Sequence, residues 1–258
     1  MTDFTRRTLK INGTDIVMLE AGKGPPLVFL HGAGTVTGFD FAAAWTKKFR
    51  VLIPYHPGFG ASDDDGAFTE IHDYVQHYVE LFDTLKLDKV RLVGQSMGGF
   101  IAAKFAVEHG QRVEKLVLAC PIGLPVPAKY ATVNFLAVPP EELPALLAHD
   151  PMTVVKHLPT GQPSGAFIGE RTKEAITAGR VLGGGAGTFD AKLPRYLHRV
   201  TMPTLIVWGK QDRLTPTDQH KTWAKALPKA TVKLFDKAGH LVLDEAPAAV
   251  TAIAEFLS

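Results

Sequence analysis

Short apolar runs and longer amphipathic stretches alternate along this chain. Most of the short runs are nearly continuous in Val, Ile and Leu, which is typical of buried parallel strands rather than of strands with one face in water. Helical spacing recurs between them. This alternation predicts a largely parallel sheet with helices on both faces. The predicted strands are 8–11, 15–20, 26–30, 50–54, 89–94, 115–120, 204–209 and 231–235.

Three segments have a pattern that predicts a helix, and one short turn predicts a hairpin. Apolar residues between 71 and 85 recur at three- and four-residue spacing, so this helix is expected to lie on the sheet through one face. Residues 96–108 are apolar nearly all round, as expected of a buried helix. The chain ends in a helix with Pro247 in its first turn. Asn12-Gly13 predicts a hairpin between the first two strands.

Residues 121–199 interrupt the alternation. They contain many prolines, short helical patterns such as 141–148 and 171–182, and a glycine cluster at 183–187. The composition does not change enough to mark a separate domain. We therefore expect one domain over residues 1–258, with a lid inserted at about 121–199. The glycine cluster follows a helical pattern rather than a strand, which favours a hinge or loop over a dinucleotide site.

Charge and composition narrow the class of function. The chain has 258 residues, with 28 Lys and Arg against 26 Asp and Glu. This balance leaves no surplus of positive charge for a nucleic acid. No apolar stretch is long enough for a signal peptide or a membrane span, and the single cysteine, Cys120, allows no internal disulfide and no zinc cluster. We expect a cytoplasmic protein that acts on a small molecule, without a nucleic-acid or membrane partner and without a metal. The oligomeric state is left open.

The strongest chemical signal is the sequence KVRLVGQSMGG at 89–99. A predicted strand runs into Gly94-Gln95-Ser96-Met97-Gly98 and then directly into a predicted helix. The sharp turn between them needs small residues two before and two after the serine, because side chains there would collide. Such a turn presents the Ser96 hydroxyl above the sheet, at the positive end of the helix. The pattern therefore predicts that Ser96 is a nucleophile.

A serine hydroxyl needs a base, and the base needs a partner that orients it. Asp212 follows the predicted strand at 204–209, and His240 follows the one at 231–235. Ligands of open α/β sheets bind at the carboxyl ends of the strands, so Ser96, Asp212 and His240 are predicted to meet there. The rival acids are expected near helix starts or in a loop, which favours Asp212. These rivals are Asp218, Asp244 and Asp236.

Attack on a carbonyl creates an oxyanion that requires hydrogen-bond donors. The backbone amide of Met97, at the start of the predicted helix, is one candidate. The second is expected in the loop after the third strand, where His31-Gly32-Ala33-Gly34 stands. We predict the Ala33 amide as that donor.

These motifs together resemble the α/β-hydrolase superfamily over almost the whole chain. The order Ser, Asp, His is that of the family's catalytic triad. The resemblance implies a mostly parallel eight-stranded sheet, a helical cap and no metal or organic cofactor, but it does not specify the substrate. The motifs are His31-Gly32, PGFGAS at 57–62, GQSMGG at 94–99, WGKQD at 208–212, and Gly239-His240 followed by Glu245 and Pro247.

Departures from relatives within this resemblance narrow the reaction. Haloalkane dehalogenases and soluble epoxide hydrolases carry a carboxylate where Ser96 stands, so their activities are disfavoured. Hydrolases that cleave C–C bonds in meta-cleavage products usually have Asn before the nucleophile and Trp after the catalytic His, where this chain has Gln95 and Leu241. Because the lid is rich in Leu and Phe, we expect hydrolysis of a small to medium, largely apolar carboxylic ester through an acyl-enzyme on Ser96. A C–C bond hydrolase and a slow-turnover ligand receptor remain alternatives.

Overall fold

The computed structural model describes residues 4–126, 133–183 and 188–258. The strands are β1 Thr5–Ile11, β2 Thr14–Ala21, β3 Pro26–Leu30, β4 Arg50–Pro54, β5 Val90–Gln95, β6 Val113–Ala119, β7 Thr204–Gly209 and β8 Ala230–Phe235. They form one sheet in the order β1-β2-β4-β3-β5-β6-β7-β8. β2 pairs antiparallel with β1 and β4, and the other pairs are parallel. The predicted mostly parallel eight-stranded sheet is confirmed.

The first strand is longer than its sequence pattern predicts. It begins at Thr5 rather than at residue 8, and Arg6 and Arg7 pair with Leu19 and Met18 of β2. These arginines are exposed at the edge of the sheet, so no apolar residue marks the start of the strand. The strands β3, β4 and β7 have the predicted bounds.

Helices cover the sheet as predicted. Ten of the 12 residues of the helix Met97–Glu108, called α2, are buried, which agrees with its nearly uniform apolar sequence. None of the described helices has the length and apolar character needed to span a bilayer. The helices are α1 Ile71–Thr84, α2 Met97–Glu108, α3 Leu143–Leu147, α4 Met152–Val155, α5 Gly165–Leu182, α6 Gln219–Ala226, α7 Val242–Glu245 and α8 Pro247–Leu257.

The chain between β6 and β7, residues 120–203, is called here the β6–β7 segment. It carries α3, α4 and α5 as well as short 3₁₀ turns. The helix predicted at 171–182 begins earlier, at Gly165, because the Ser164 hydroxyl caps it by accepting from the Phe167 amide at 3.2 Å. Gly183 ends that helix, and residues 184–187 of the glycine cluster lie outside the described residues.

The carboxyl ends of the central strands lie at one edge of the sheet. Leu30 at the end of β3 pairs with Gly94 of β5, and Gln95 at the end of β5 pairs with Ala119 at the end of β6. Ala119 also pairs with Val207 near the end of β7. The loops that follow these strands therefore leave the sheet side by side, which brings sequence-distant side chains together.

Candidate active site

Ser96 occupies a strained turn between β5 and α2. Its backbone has φ 54° and ψ −117°, a region that residues with a side chain rarely adopt. The turn is held by hydrogen bonds in which the Ser96 amide donates to the Ala119 carbonyl at 3.0 Å and the Phe100 amide donates to the Ser96 carbonyl at 3.1 Å. Strain that is fixed by neighbouring backbone is characteristic of functional sites.

The glycines of the GQSMG motif are required by the packing of this turn. A Cβ at Gly94 would lie 2.3 Å from the Gly98 carbonyl oxygen. A Cβ at Gly98 would lie 2.0 Å from the Leu30 carbonyl oxygen at the end of β3. Both obstacles are backbone atoms, which cannot rotate away. The collision expected from the sequence therefore has identified partners in the fold.

Asp212 follows β7, and both of its carboxylate oxygens accept hydrogen bonds. One carboxylate oxygen accepts from the amides of Leu214 and Thr215, each at 2.9 Å, and the other accepts from the Thr215 hydroxyl at 2.6 Å. Burial alone would raise the pKa of Asp212, but the interaction with His240 and these hydrogen bonds outweigh it and hold the pKa below its usual value. The group is therefore a buried carboxylate at neutral pH.

His240 follows β8 and is oriented by that carboxylate. Its Nδ1 lies 3.0 Å from Asp212 Oδ2, which makes Nδ1–H the donor and leaves a lone pair on Nε2. Nε2 is buried and makes no hydrogen bond to any described residue, Ser96 included. The His240 carbonyl accepts from the Gln95 side-chain amide at 3.3 Å, so the residue before Ser96 also supports the histidine loop. An imidazole in this state can accept a proton at Nε2.

The loop after β3 lies against Ser96. A Cβ at Gly32 would be 3.3 Å from Ser96 Cβ and 3.9 Å from Ser96 Oγ. The Gly32 carbonyl accepts from His31 Nδ1 at 2.6 Å. A trans peptide directs its carbonyl and its N–H in opposite directions, so this bond turns the Ala33 amide away from the His31 ring. Met97 is the first residue of α2, where a helix leaves its amides without intrahelical partners.

Two buried histidines, His31 and His56, are hydrogen-bonded to each other where this loop begins. The rings of His31 and His56 lie with their centroids 3.9 Å apart and are tilted by 45° to each other. The His56 amide donates to His31 Nε2 at 2.9 Å, and His56 Nε2 donates to the His31 carbonyl at 2.8 Å. His56 Nδ1 is bonded to the Tyr78 hydroxyl at 2.5 Å. Burial lowers the pKa of His31 to about 4 and that of His56 well below its usual value, so both rings are neutral.

Glu245 links the histidine loop to the β6–β7 segment. One carboxylate oxygen accepts from the Gly239 amide at 2.6 Å and the His149 amide at 3.0 Å, and the other accepts from the Asp150 amide at 2.8 Å. The Leu241 amide donates to the Leu147 carbonyl at 3.0 Å. The residues on both sides of His240 are thus bonded, directly or through Glu245, to the segment that covers the sheet edge.

Cys120 brings a possible third ligand to the Asp212–His240 pair. The ligand atoms of these three residues lie within 4.8 Å of one another. Asp212 and His240 are already bonded to each other, however, and burial raises the pKa of the Cys120 thiol well above its usual value. A neutral thiol is a poor metal ligand. The arrangement fits a proton-transfer pair better than a metal site.

The sequence predicts five site residues in the loops that follow these strands. Asp212 and His240 are bonded, and Ser96 and Met97 form the turn that faces the loop containing Ala33. The three other acids that the sequence offered occupy other positions. Asp218 directly precedes α6, Asp236 pairs with Lys210, and Asp244 lies in α7. The contacts of Thr215 with Asp212 and of His56 with His31 were not predicted, because no sequence motif marks Thr215 or His56.

This chain is similar to known proteins in sequence and in fold. The chain matches the family model described as alpha/beta hydrolase fold over residues 25–247. A 2-hydroxymuconate semialdehyde hydrolase from Pseudomonas putida is 28% identical over 235 residues, covering 86% of this chain and 82% of that protein. A solved serine hydrolase involved in carbazole degradation has a TM-score of 0.81 and 22% identity, covering 99% of both chains. A membrane phospholipase A has a TM-score of 0.79 and 23% identity, covering 98% of this chain and 86% of that one.

Proposed function

This chain belongs to the α/β-hydrolase family, and from that premise we propose that it is a serine hydrolase of small to medium, largely apolar carboxylic esters. The observation that carries the proposal is the state of His240. Its Nδ1 is fixed by a buried carboxylate, and its buried Nε2 has no partner among the described residues. A base in this state beside a serine held in a nucleophile elbow supports acyl transfer.

The proposed reaction begins with attack of Ser96 Oγ on the ester carbonyl carbon. His240 Nε2 takes the hydroxyl proton, and Asp212 holds the imidazole and stabilises its charged form. The oxyanion accepts hydrogen bonds from the amides of Ala33 and Met97. Collapse of this intermediate breaks the bond to the alcohol, which leaves with the proton from His240. An acyl group then remains on Ser96.

Water completes the proposed cycle. His240 removes a proton from a water molecule, which attacks the acyl carbon, and the same two amides hold the second oxyanion. Ser96 leaves with the proton from His240, and the carboxylic acid is released. The β6–β7 segment is proposed to act as the lid that excludes bulk water and selects the substrate.

Cleavage of a C–C bond by the same residues is the second candidate. It is supported by the relative from Pseudomonas putida, whose name describes a semialdehyde hydrolase. Against it stand the residues that the sequence places beside the nucleophile and the base, Gln95 and Leu241. The Gln95 amide is engaged with the His240 carbonyl, which is a supporting contact rather than a substrate contact.

The test is rapid mixing with p-nitrophenyl butyrate, comparing the native protein with Ser96→Ala. We expect a burst of p-nitrophenol followed by sustained release, and a kcat lower by about 10⁴ to 10⁶ in the variant. Circular dichroism checks that the variant is folded. A burst of one equivalent without turnover would favour a receptor, and no release from the native protein would favour C–C hydrolysis, which a vinylogous dienoic diketone substrate would reveal.

A further inference from the structure

Helix α5 brings a carboxylate into the face that packs on the sheet body. Glu174 is only 5% exposed, although only five of the 18 residues of this helix are buried. Burial raises the pKa of the Glu174 carboxyl. A buried ionisable group lowers stability unless polar partners compensate for its lost hydration. Its partners therefore indicate what the helix is held against. The buried residues of α5 recur at helical spacing: Glu174, Thr177, Ala178, Val181 and Leu182.

Two of the partners of Glu174 lie in the loops that follow β3 and β4. Glu174 Oε1 accepts from the Thr35 hydroxyl at 2.6 Å and from the Gly60 amide at 2.9 Å. Glu174 Oε2 pairs with Arg171 of the same helix at 2.7 Å. Arg171 also donates to the Thr35 hydroxyl at 3.1 Å. Thr35, Glu174 and Arg171 thus form a closed ring of hydrogen bonds between α5 and the loop after β3.

Thr35 lies two residues after Ala33, whose amide is the proposed oxyanion donor. The one residue between them, Gly34, lies beside open space, since a Cβ there would meet nothing within 4 Å. On the other side of Ala33, the His31 ring holds the Gly32 carbonyl. The donor is therefore fixed between two anchors, one in the body and one on α5. Only the second anchor depends on the β6–β7 segment.

We propose that Glu174 is a positioning residue that fixes the oxyanion loop through Thr35 only while α5 is seated on the body. This inference rests on the proposed function, because it takes the Ala33 amide as an oxyanion donor. If α5 lifts, the carboxylate regains water, and Thr35 and Gly60 lose their acceptor. Seating of the β6–β7 segment and assembly of the oxyanion hole are then one event.

The test variant is Thr35→Val, which removes the hydroxyl and keeps the shape. The measurements are kcat and KM for p-nitrophenyl butyrate and the Kd of an alkyl boronic acid, which forms a tetrahedral adduct with a catalytic serine. Complete loss of one oxyanion donor lowers kcat about 10² to 10³-fold, and a loosened donor costs less. We therefore expect kcat to fall about tenfold and boronic acid binding to weaken about tenfold, with KM changed less than about twofold.

A matched control separates positioning from stability. Thr177→Val is the same substitution on the same face of α5, and the Thr177 hydroxyl donates to Asp64 at 3.2 Å, away from the oxyanion loop. We expect it to lower the melting temperature without changing kcat or boronic acid binding. Glu174→Gln retains an oxygen for Thr35 and Gly60 and is expected to keep most of the activity, whereas Glu174→Ala is expected to match Thr35→Val.

The outcomes distinguish this proposal from the proposed function. Native kcat and boronic acid binding in Thr35→Val, or an equal loss in Thr177→Val, would overturn the positioning role while leaving the serine hydrolase intact. If the native protein neither binds the boronic acid nor shows a Ser96-dependent reaction, the proposed function fails, and the positioning role fails with it.

Discussion

The large apolar side chains of the sheet body are buried, whereas many of those in the β6–β7 segment face solvent. Every exposed large hydrophobic side chain among the described residues belongs to that segment: Met152, Val155, Leu158, Ile168, Ile176 and Tyr196. In the body, Trp45, Trp208 and Phe29 are completely enclosed. The body is thus stabilised mainly by apolar burial.

The segment is attached to the body by polar contacts as well as by apolar residues buried in the same core, such as Val181, Leu182 and Leu197. Glu174 binds the oxyanion loop, and Glu245 binds the segment beside the histidine loop. Lys173 donates to the Gly60 carbonyl at 2.8 Å, and Arg180 pairs with Asp64 at 2.6 Å. Polar contacts can exchange with water at small net cost, unlike a dry apolar interface. The body is thus closed by apolar burial, and the β6–β7 segment meets it through hydrogen bonds in addition to buried apolar residues.

The largest effect is expected from a change inside the body. Asp212→Asn keeps the shape of the acid but removes the charge that selects the Nδ1–H form of His240, so kcat is expected to fall about 10³ to 10⁴-fold. Steady-state hydrolysis of p-nitrophenyl butyrate measures the fall, and the melting temperature is expected to change little.

An acid in a neighbouring loop serves as the control for Asp212→Asn. Asp236 is exposed and pairs with Lys210 at 2.9 Å, so Asp236→Asn is expected to keep native activity. A loss of less than tenfold in Asp212→Asn would contradict the assigned role of the acid.

A smaller effect is expected where the two regions meet. Glu245→Gln replaces one accepting oxygen by an NH₂ group, which cannot accept from the amides of Gly239, His149 or Asp150. We expect kcat to fall about three- to tenfold and hydrogen exchange to speed up near residues 149–150. The stability of the body is expected to stay near native. The exposed Glu255→Gln is the control, and unchanged exchange together with native kcat would show that this contact does not hold the histidine loop.

The smallest effect concerns the acid sensitivity of the body. Burial lowers the pKa of His31 and His77 to about 4 and lowers that of His56 well below its usual value. Below pH ~6.5 the histidines of the unfolded chain bind protons, whereas the three buried histidines of the native protein stay neutral. The free energy of unfolding therefore decreases as the pH falls. The decrease is about 1.4 kcal/mol per pH unit for each histidine and continues to pH ~4.

Two buried carboxyls oppose this slope. Burial raises the pKa of Asp244 to about 7 and also raises that of Glu174, so the native state binds protons there before the unfolded chain does. Between pH 6.5 and 4.5 the unfolded chain is therefore expected to bind about one to two protons more than the native protein. Urea unfolding at several pH values measures this difference as the slope of the free energy of unfolding against pH. His77→Phe removes a ring whose buried Nε2 has no partner among the described residues, and it is expected to reduce the slope by about one proton. An unchanged slope would contradict the assignment.

The sequence predicted the sheet, the nucleophile elbow and the loops that carry Asp212 and His240. Each of these depends on local features: continuous apolar runs for β3 and β7, and glycines two residues from Ser96. The start of β1 was missed because exposed edge residues need no apolar pattern.

The contacts between the two regions could not be predicted. Thr35 and Glu174 are 139 residues apart, and His149 and Glu245 are 96 apart. Thr35, Glu174 and His149 are common residue types without a motif around them. Glu245 belongs to the motif that contains His240, but its contact with the segment appears only when the fold brings the partners together. Sequence patterns therefore predict the strands and loops of the body better than the contacts between the body and the β6–β7 segment.

The most direct test of the central claim is to isolate the acyl-enzyme. The native protein is mixed with p-nitrophenyl butyrate, quenched with acid within milliseconds and measured by intact-protein and peptide mass spectrometry. We expect one butyryl group on the peptide that contains Ser96, decaying as product forms and missing from Ser96→Ala. Product formation without that adduct, or an adduct on another residue such as Cys120, would contradict the account.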